Sequence, residues 1–179
     1  LEKPVKGTII TVDLRRMNRI ELHKEFGYVE VEPSVPQKDL NAYLSPYGYE
    51  FPDVVPPVTL GGIASVNMSG HLVDSYSGKL GDQILGLEVV LPTGEIIETG
   101  TKSLRKVSGM DLTRLFIGSQ ALLGVITKIR LRLIPKPLEK SWMTASFDSI
   151  VELASSVIEV LNGSLGFYPR ILDFTDDVI

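Results

Sequence analysis

The chain has 179 residues, of which 44% are hydrophobic and 22% charged, a composition typical of a globular protein with a buried core. Its formal net charge of −4 provides no basic field for a polyanion, so nucleic acid is not expected as a partner. No apolar run approaches the roughly 18 residues of a membrane span, and no signal-peptide pattern opens the chain. We therefore predict a cytoplasmic protein and leave peripheral association with a membrane open.

Residue types that usually bind metals are scarce. Cysteine is absent, and the two histidines, His23 and His71, lie in neither a His-x-x-x-His nor a Glu-x-x-His pattern. We therefore expect no metal site. His23 is predicted to be exposed on a strand, and His71, which follows Gly70, is predicted to be a solvated loop residue without a catalytic role.

The first elements predicted along the chain are strands. Residues 7–14 form a β-branched run, and two shorter strands are expected near 19–23 and 28–32. The turn between these two ends at Gly27, and glycine suits the positive φ that such a hairpin turn requires. The sequence therefore predicts an antiparallel hairpin near the start of the chain.

An amphipathic helix follows in the prediction. Pro36 fits its first turn, apolar residues recur at helical spacing, and Gly48 provides the C-terminal stop. Beyond this helix, the prolines within residues 51–57 forbid regular structure. The chain is therefore expected to reach the next segment in an extended and rigid form.

The segment 57–70 combines two adjacent glycines, Gly61 and Gly62, with short polar side chains. These polar residues are Thr59, Ser65, Asn67 and Ser69. Glycine opens backbone conformations closed to other residues and lets a ligand approach the main chain closely. We predict a binding loop for a phosphate or a flat heterocycle. The alternative is a helix that begins against a crowded neighbour and binds no ligand.

The second half of the chain contains the clearest strand patterns. A hairpin is predicted between residues 84–91 and 95–98, across a turn that contains Gly94, and a short helix is predicted to follow with Asp111 as its cap. Residues 125–134 alternate between apolar and basic side chains, as a half-buried strand does. Because the strands meet through hairpins, we predict an α+β fold with a largely antiparallel sheet flanked by helices.

Pro135-Lys136-Pro137 marks a predicted domain boundary, since prolines two residues apart do not fit a strand ladder. Residues 1–137 are predicted to form the first domain. Residues 138–179 are predicted to begin an α+β cap domain, with a strand over 141–147, a helix capped by Asp148, and a further strand. The buried stripe of that helix is predicted to be Val151, Ala154, Ile158 and Leu161. A unit this small requires more chain or another subunit to cover its sheet.

Common nucleotide-binding and hydrolase motifs are absent from the sequence, since it contains no Gly-x-Gly-x-x-Gly, no P-loop and no Gly-x-Ser-x-Gly. Three other segments, 57–70, 76–95 and 111–127, resemble in order and spacing the FAD-linked oxidases and dehydrogenases of the vanillyl-alcohol oxidase type. The third contains Gly-Ser-Gln-Ala-Leu-Leu-Gly-Val-Ile-Thr, which is similar to the family's Gly-Ser-Glu-Gly-Thr-Leu-Gly-Val-Ile-Thr. The nearest branch is that of D-lactate dehydrogenase and the glycolate oxidase D subunit.

This resemblance implies the second FAD-binding subdomain of the PCMH-type fold, with FAD as the cofactor. The family's first subdomain, with its Pro-Gly-Gly-Gly-Thr loop, is expected upstream of Leu1. By resemblance, the residues that contact FAD are Pro52, Asp53, Pro57, Val58, Thr59, Gly61, Gly62, Ser65, Asn67, Gly70, Gly124, Val125 and Ile126. The pattern departs from the family at Gln120 and Ala121, where glutamate and glycine are usual. The family's catalytic histidines lie later in its sequence, so catalytic residues stay unassigned here.

The resemblance also implies an activity. It indicates an oxidoreductase that oxidises a small 2-hydroxy acid, glycolate or D-lactate, by hydride transfer to flavin, and this fragment alone is expected to be inactive. The expected partners are FAD, the acid substrate, and the rest of the flavoenzyme or a partner subunit, with a homo-oligomer as one alternative. Two other functions are consistent with the motifs: an FAD-dependent transferase like alkyl-dihydroxyacetone-phosphate synthase, and a truncated non-catalytic paralogue that acts as a partner subunit.

Overall fold

The computed structural model describes residues 10–52, 58–68, 79–101, 109–136, 138–139 and 144–163. The predicted strand over 7–14 begins outside these residues, and its described part, 10–14, forms no strand. The predicted strand near residue 171 lies outside the described residues.

A five-stranded antiparallel sheet organises the described part of the chain, with the strand order β1-β2-β6-β4-β5. Its strands are β1 (Ile20–His23), β2 (Tyr28–Val31), β4 (Ile84–Val90), β5 (Ile96–Gly100) and β6 (Val125–Arg132). A second sheet pairs β3 (Tyr49–Glu50) with β7 (Ile134–Pro135). The helices are α1 (Gln37–Leu44), α2 (Leu60–Val66), α3 (Leu112–Phe116) and α4 (Ile150–Leu161). The predicted α+β class is confirmed.

The two predicted hairpins are confirmed, and each turn uses its glycine as expected. Gly27 closes the β1–β2 turn at φ +75°, and Gly94 lies in the β4–β5 turn at φ +85°. The predicted helix that stops at Gly48 is also present as α1, followed by a 3₁₀ turn, and Gly48 has φ +80°. Positive φ at these positions is a conformation that glycine adopts without steric cost.

Strand β6 lies at the centre of the sheet, between β2 and β4, and a bulge interrupts its alternation. The β4–β6 register shifts between Glu88 and Val89, and this shift turns the side chain of Ile126 into the core. The strict alternation predicted for residues 125–134 is therefore wrong at the start of the strand. A bulge places an extra residue in one strand, which reverses the faces on either side of it.

The core lies between one face of the main sheet and the helices α1 and α2. Its fully buried side chains include Val29, Val31, Val35, Leu40, Leu44, Leu60, Val89, Ile129 and Leu131. On the opposite face, the same strands carry charged side chains such as Glu30, Glu88 and Arg130. The sheet therefore has one apolar and one charged face, the arrangement common in antiparallel sheets.

The segment after β7 departs from several predictions. Ser149, not Asp148, caps α4, because its hydroxyl accepts the backbone N–H of Glu152 at 3.2 Å. Val151 and Ile158 of the predicted buried stripe are 70% and 58% exposed, and Ala154 is exposed as well. Residues 144–147, the described end of the predicted strand over 141–147, form no strand. Little of α4 is buried against the rest of the described chain.

The predicted domain boundary coincides with a short strand. Pro135 pairs with Tyr49 at the end of β7, so the first proline of the boundary does lie in a ladder, although at its last residue. The division into residues 1–137 and 138–179 stays a prediction.

Candidate functional site

The double-glycine segment forms the start of helix α2, not the irregular loop predicted for it. Thr59 caps the helix, since its hydroxyl accepts the backbone N–H of Gly62 at 3.3 Å. Neither Gly61 nor Gly62 has a positive φ. A Cβ at Gly61 would lie 2.5 Å from Cβ of Pro33, so this glycine allows close approach by another part of the same chain. The alternative, a helix beginning against a crowded neighbour, describes the backbone correctly.

The amide groups at the start of α2 already have partners within the chain. Leu60 donates to the carbonyl of Val35 at 2.9 Å, and Gly61 donates to the carbonyl of Pro33 at 2.8 Å. The backbone N–H of Gly62 donates to the side-chain hydroxyl of Thr59, and the backbone N–H of Ile63 donates to the carbonyl of Thr59. The backbone N–H groups of residues 60–63 are therefore all paired within the chain. The groups that a ligand could contact at this end of the helix are the exposed Thr59 and the exposed Gly62.

Asn67 joins the three segments that carried the family resemblance. It ends α2 in the left-handed conformation, with φ +49°. A Cβ added at Gly81 would lie 2.6 Å from Oδ1 of Asn67. A Cβ added at Gly118 would lie 3.1 Å from Cβ of Asn67. Glycine at both positions therefore leaves the space that the Asn67 side chain occupies. Asn67 is otherwise exposed, so its amide borders the surface.

The turn after α3 is tied to the last residues of α2. The backbone N–H of Gly118 donates to Ala64, and that of Gln120 donates to Ser65, both at 2.9 Å. Gln120 and Ala121 have φ values of +51° and +63°. The two residues that depart from the family pattern therefore adopt the left-handed backbone that glycine favours.

Gly124, Val125 and Ile126 lead into the central strand. Gly124 is buried, and a Cβ there would lie 2.6 Å from Cγ1 of Val89 and 2.8 Å from the carbonyl oxygen of Val90. Val125 and Ile126 pair with these same residues of β4. On the other side of β6, the pairing with β2 ends at Ile129, so residues 125–128 have a strand partner on one side only among the described residues.

Two further predicted contacts, Pro52 and Val58, precede α2. The carbonyl of Pro52 accepts the Gln37 side-chain amide at 3.2 Å, and the carbonyl of Val58 accepts the Gln37 backbone N–H at 3.0 Å. Both carbonyls therefore help to fix the entry of the chain into α2. The other predicted contacts are Asp53 and Pro57 before α2 and Gly70 after it; these residues and His71, which follows Gly70, lie outside the described residues.

A surface groove of about 330 Å³ opens beside Thr59, and the sequence pattern did not point to it. Its lining consists of Arg15, Asn18, Ile20, Ser34, Val35, Pro36, Asp39 and Thr59. Arg15 pairs with Asp13 at 2.6 Å, and its hydrogen bonds hold the pKa of Asp13 below the usual range. The groove thus places one arginine near the cap of α2, with its charge already paired.

A family model described as an FAD binding domain matches residues 2–100, more than half of the chain. The chain belongs to this family. FAD is therefore the cofactor indicated for the domain, as the motifs predicted. Among the helices of the described residues, none has the length and apolar character needed to cross a membrane.

Two curated relatives of the chain are named as a dehydrogenase and as a subunit of an oxidase. This chain is 37% identical over 154 residues to the mitochondrial D-lactate dehydrogenase [cytochrome] of Arabidopsis thaliana. The match covers 85% of this chain and 27% of that protein. This chain is 34% identical over 177 residues to glycolate oxidase subunit GlcD of Bacillus subtilis, covering 97% of this chain and 37% of that subunit. The chain therefore spans about a third of the length of these relatives.

A solved structure of alkyldihydroxyacetonephosphate synthase shares the fold of the FAD-binding domain. The TM-score is 0.66 at 22% identity, over 86% of this chain and 28% of that one. This likeness confirms the predicted PCMH-type fold.

Proposed function

We propose that this chain is the FAD-binding portion of an oxidoreductase that oxidises a small 2-hydroxy acid, of the glycolate or D-lactate type, by hydride transfer to flavin. The observation that carries this proposal is the similarity to GlcD over 97% of the chain and to D-lactate dehydrogenase over 85% of it. When bound, the flavin supplies the redox chemistry, while the protein binds and orients it.

The described residues fit one wall of an FAD site. Thr59 and Gly62 are exposed at the start of α2, Asn67 is exposed at its end, and Ser65 is half-buried between them. The strand segment 125–126 adds backbone groups on the side of β6 that β2 does not cover. These residues would hold the cofactor through hydroxyl, amide and carbonyl groups, which suits a ligand with both phosphates and a polar heterocycle. Gly61 would contribute to FAD binding indirectly, because the absence of a Cβ allows α2 to pack against Pro33.

The rest of the flavoenzyme, or a partner subunit, would complete the site. Helix α4 supports this part of the proposal, because Ile150, Val151 and Ile158 are 80%, 70% and 58% exposed. Apolar side chains at that exposure suit a helix that further protein covers, as the start of a cap domain at residues 138–179 would be. Cytoplasmic location stays a prediction, since the Arabidopsis relative is named as mitochondrial.

The two alternative functions receive less support. The solved synthase structure is 22% identical, which supports the fold and not the transferase activity. The paralogue hypothesis relied on the Pro-Gly-Gly-Gly-Thr loop, which is expected upstream of Leu1, and on Gln120 and Ala121. These two residues keep the left-handed backbone of a glycine turn, and the turn is hydrogen-bonded to α2. These substitutions are therefore accommodated without loss of the local fold.

The test uses the full-length protein that contains this chain, purified with FAD. We expect a yellow holoprotein whose flavin absorbance near ~450 nm falls on anaerobic addition of glycolate or D-lactate, with L-lactate as the matched control. A protein that stays colourless after incubation with FAD contradicts cofactor binding. A yellow protein that neither acid bleaches contradicts the substrate class and leaves FAD binding standing.

A further inference from the structure

Three side chains that commonly bind metals converge on the charged face of the β1–β2 hairpin. Glu21 and His23 lie two residues apart on β1, and Glu30 lies directly opposite Glu21 on β2. Residues two apart on a strand share a face of the sheet, so all three side chains stand on the same side. One ligand atom from each lies within 4.8 Å of the other two.

His23 carries an unsatisfied polar atom in this cluster. Its Nε2 is excluded from solvent and has no hydrogen-bond partner, although the side chain as a whole is 21% exposed. The prediction that His23 is exposed is therefore wrong. A buried polar atom without a partner costs free energy and calls for a specific explanation. Glu21 and Glu30 lie directly opposite each other on paired strands; Arg130 already pairs with Oε1 of Glu30, so a cation in the cluster would face Oε2 of Glu30 and the exposed carboxylate of Glu21.

Two of the three distances between the ligand atoms lie near the separation expected for ligands of a small divalent ion. His23 Nε2 lies 3.4 Å from Oε1 of Glu21 and 3.9 Å from Oε2 of Glu30. Ligands at about 2.0–2.1 Å in a tetrahedron lie roughly 3.4 Å apart, so modest side-chain movement would bring these atoms into coordination.

Neighbouring side chains already orient two of the three ligands. Arg130 donates two hydrogen bonds to Oε1 of Glu30, which leaves Oε2 directed to the cluster. The His23 ring stacks on Tyr28 with ring centres 4.6 Å apart. Outer contacts of this kind fix ligand orientation in metal sites.

We propose that Glu21, His23 and Glu30 form a site for a divalent transition-metal ion of the Zn²⁺ type, with water completing the coordination. One imidazole and two carboxylates suit Zn²⁺, whereas Mg²⁺ prefers oxygen ligands alone. The site is independent of the FAD-binding function. The sequence patterns missed it because Glu-x-His is a strand spacing and the third ligand depends on the register of the hairpin.

The experiment titrates the EDTA-treated chain with Zn²⁺, and then Co²⁺, by calorimetry and visible absorption. We expect one equivalent of Zn²⁺ to bind and Mg²⁺ not to compete. Glu21→Gln and His23→Gln should each weaken Zn²⁺ binding by at least about tenfold. Glu25→Gln, which removes an exposed charge from the same hairpin, and His71→Gln should leave binding unchanged.

Two results would overturn the proposal. The first is an absence of Zn²⁺ binding by the EDTA-treated chain. The second is Zn²⁺ binding that His71→Gln abolishes and His23→Gln does not. Because the Glu21 side chain is 73% exposed, Glu21→Gln should fold normally. Its Zn²⁺ affinity therefore tests the site even if His23→Gln destabilises the hairpin.

Discussion

Arg130 on β6 donates two hydrogen bonds to one carboxylate oxygen of Glu30 on β2, from Nε at 2.9 Å and from Nη2 at 2.7 Å. The two residues are 100 positions apart in the chain and directly opposite in the register. Their side chains are only 9% and 16% exposed. Arg130 also lies 5.6 Å from the centre of the Tyr28 ring, a distance suited to a cation–π contact. This ion pair therefore links β2 of the first hairpin to the central strand β6.

Replacing Arg130 should destabilise the fold. Arg130→Met leaves the half-buried Glu30 carboxylate without its cation and beside Glu21, so we expect the free energy of unfolding to fall by about 3 kcal/mol. Urea denaturation in EDTA measures this loss. Arg132→Met is the matched control, because Arg132 is exposed on the same strand and its loss should cost less than about 0.5 kcal/mol. Equal losses for the two variants would contradict a stabilising role for the pair.

Replacing Ala121 with glycine should stabilise the chain. Ala121 has φ +63°, a conformation that costs a residue with a Cβ roughly 1 kcal/mol relative to glycine. We expect Ala121→Gly to raise the free energy of unfolding by less than that amount, because glycine's greater freedom in the unfolded chain offsets part of the gain. Ala154→Gly is the control, because this exposed residue of α4 has helical geometry and glycine there should destabilise. A loss of stability in Ala121→Gly would contradict the left-handed turn.

Glu88 should make stability depend on pH in the acid range. Burial raises the pKa of Glu88, but hydrogen bonds from Thr127 at 2.8 Å and Lys128 at 3.2 Å outweigh it, so the pKa lies below its ordinary value of 4.5. A lowered pKa means that ionised Glu88 stabilises the fold above about pH 4.5 and that this contribution is lost as the pH falls through the folded-state value.

The variant Glu88→Gln tests this dependence. We expect wild type to exceed Glu88→Gln in thermal stability by a constant amount at roughly pH 5 to 7, and the difference to shrink at lower pH. Glu95→Gln, an exposed change in the neighbouring turn, should follow the wild-type profile. A difference between wild type and Glu88→Gln that does not change with pH would show that the carboxylate charge is not the source.

Local features of the chain could be predicted from the sequence, and distant pairings could not. The hairpins followed from Gly27 and Gly94, because a turn glycine between alternating residues is a short-range signal. The position of β6 between β2 and β4 joins residues about a hundred positions apart, and no local pattern encodes it. The bulge that turns Ile126 inward depends on that pairing, so it was missed as well.

In the candidate site, too, local motifs could be predicted from the sequence and contacts between distant residues could not. Thr59 and Asn67 were predicted from their motif to contact FAD, and both are exposed next to α2; their contact with FAD stays a prediction. The helix was predicted only as the alternative to a binding loop, because adjacent glycines lower helix propensity and the contact of Gly61 with Pro33 decides the backbone. The Glu21–His23–Glu30 cluster appears only once the hairpin register is known.

The two adjacent glycines of α2 should respond in opposite ways to alanine. In Gly61→Ala the new Cβ would lie 2.5 Å from Cβ and 2.8 Å from the carbonyl oxygen of Pro33, so the helix must shift. We expect a loss of about 1–3 kcal/mol in unfolding free energy. In Gly62→Ala the nearest atom is Oγ1 of Thr59 at 3.4 Å, and a helical glycine gains up to about 1 kcal/mol on change to alanine.

The same pair separates folding from FAD binding in the full-length holoprotein. Gly62 is exposed, so if its backbone lines the cofactor site, Gly62→Ala should weaken FAD binding while the domain becomes no less stable. Fluorescence titration with FAD measures the affinity, and thermal unfolding of the protein without FAD measures the stability. Unchanged FAD affinity in Gly62→Ala would remove this face of α2 from the proposed site, because a methyl group there projects from the exposed side of the helix.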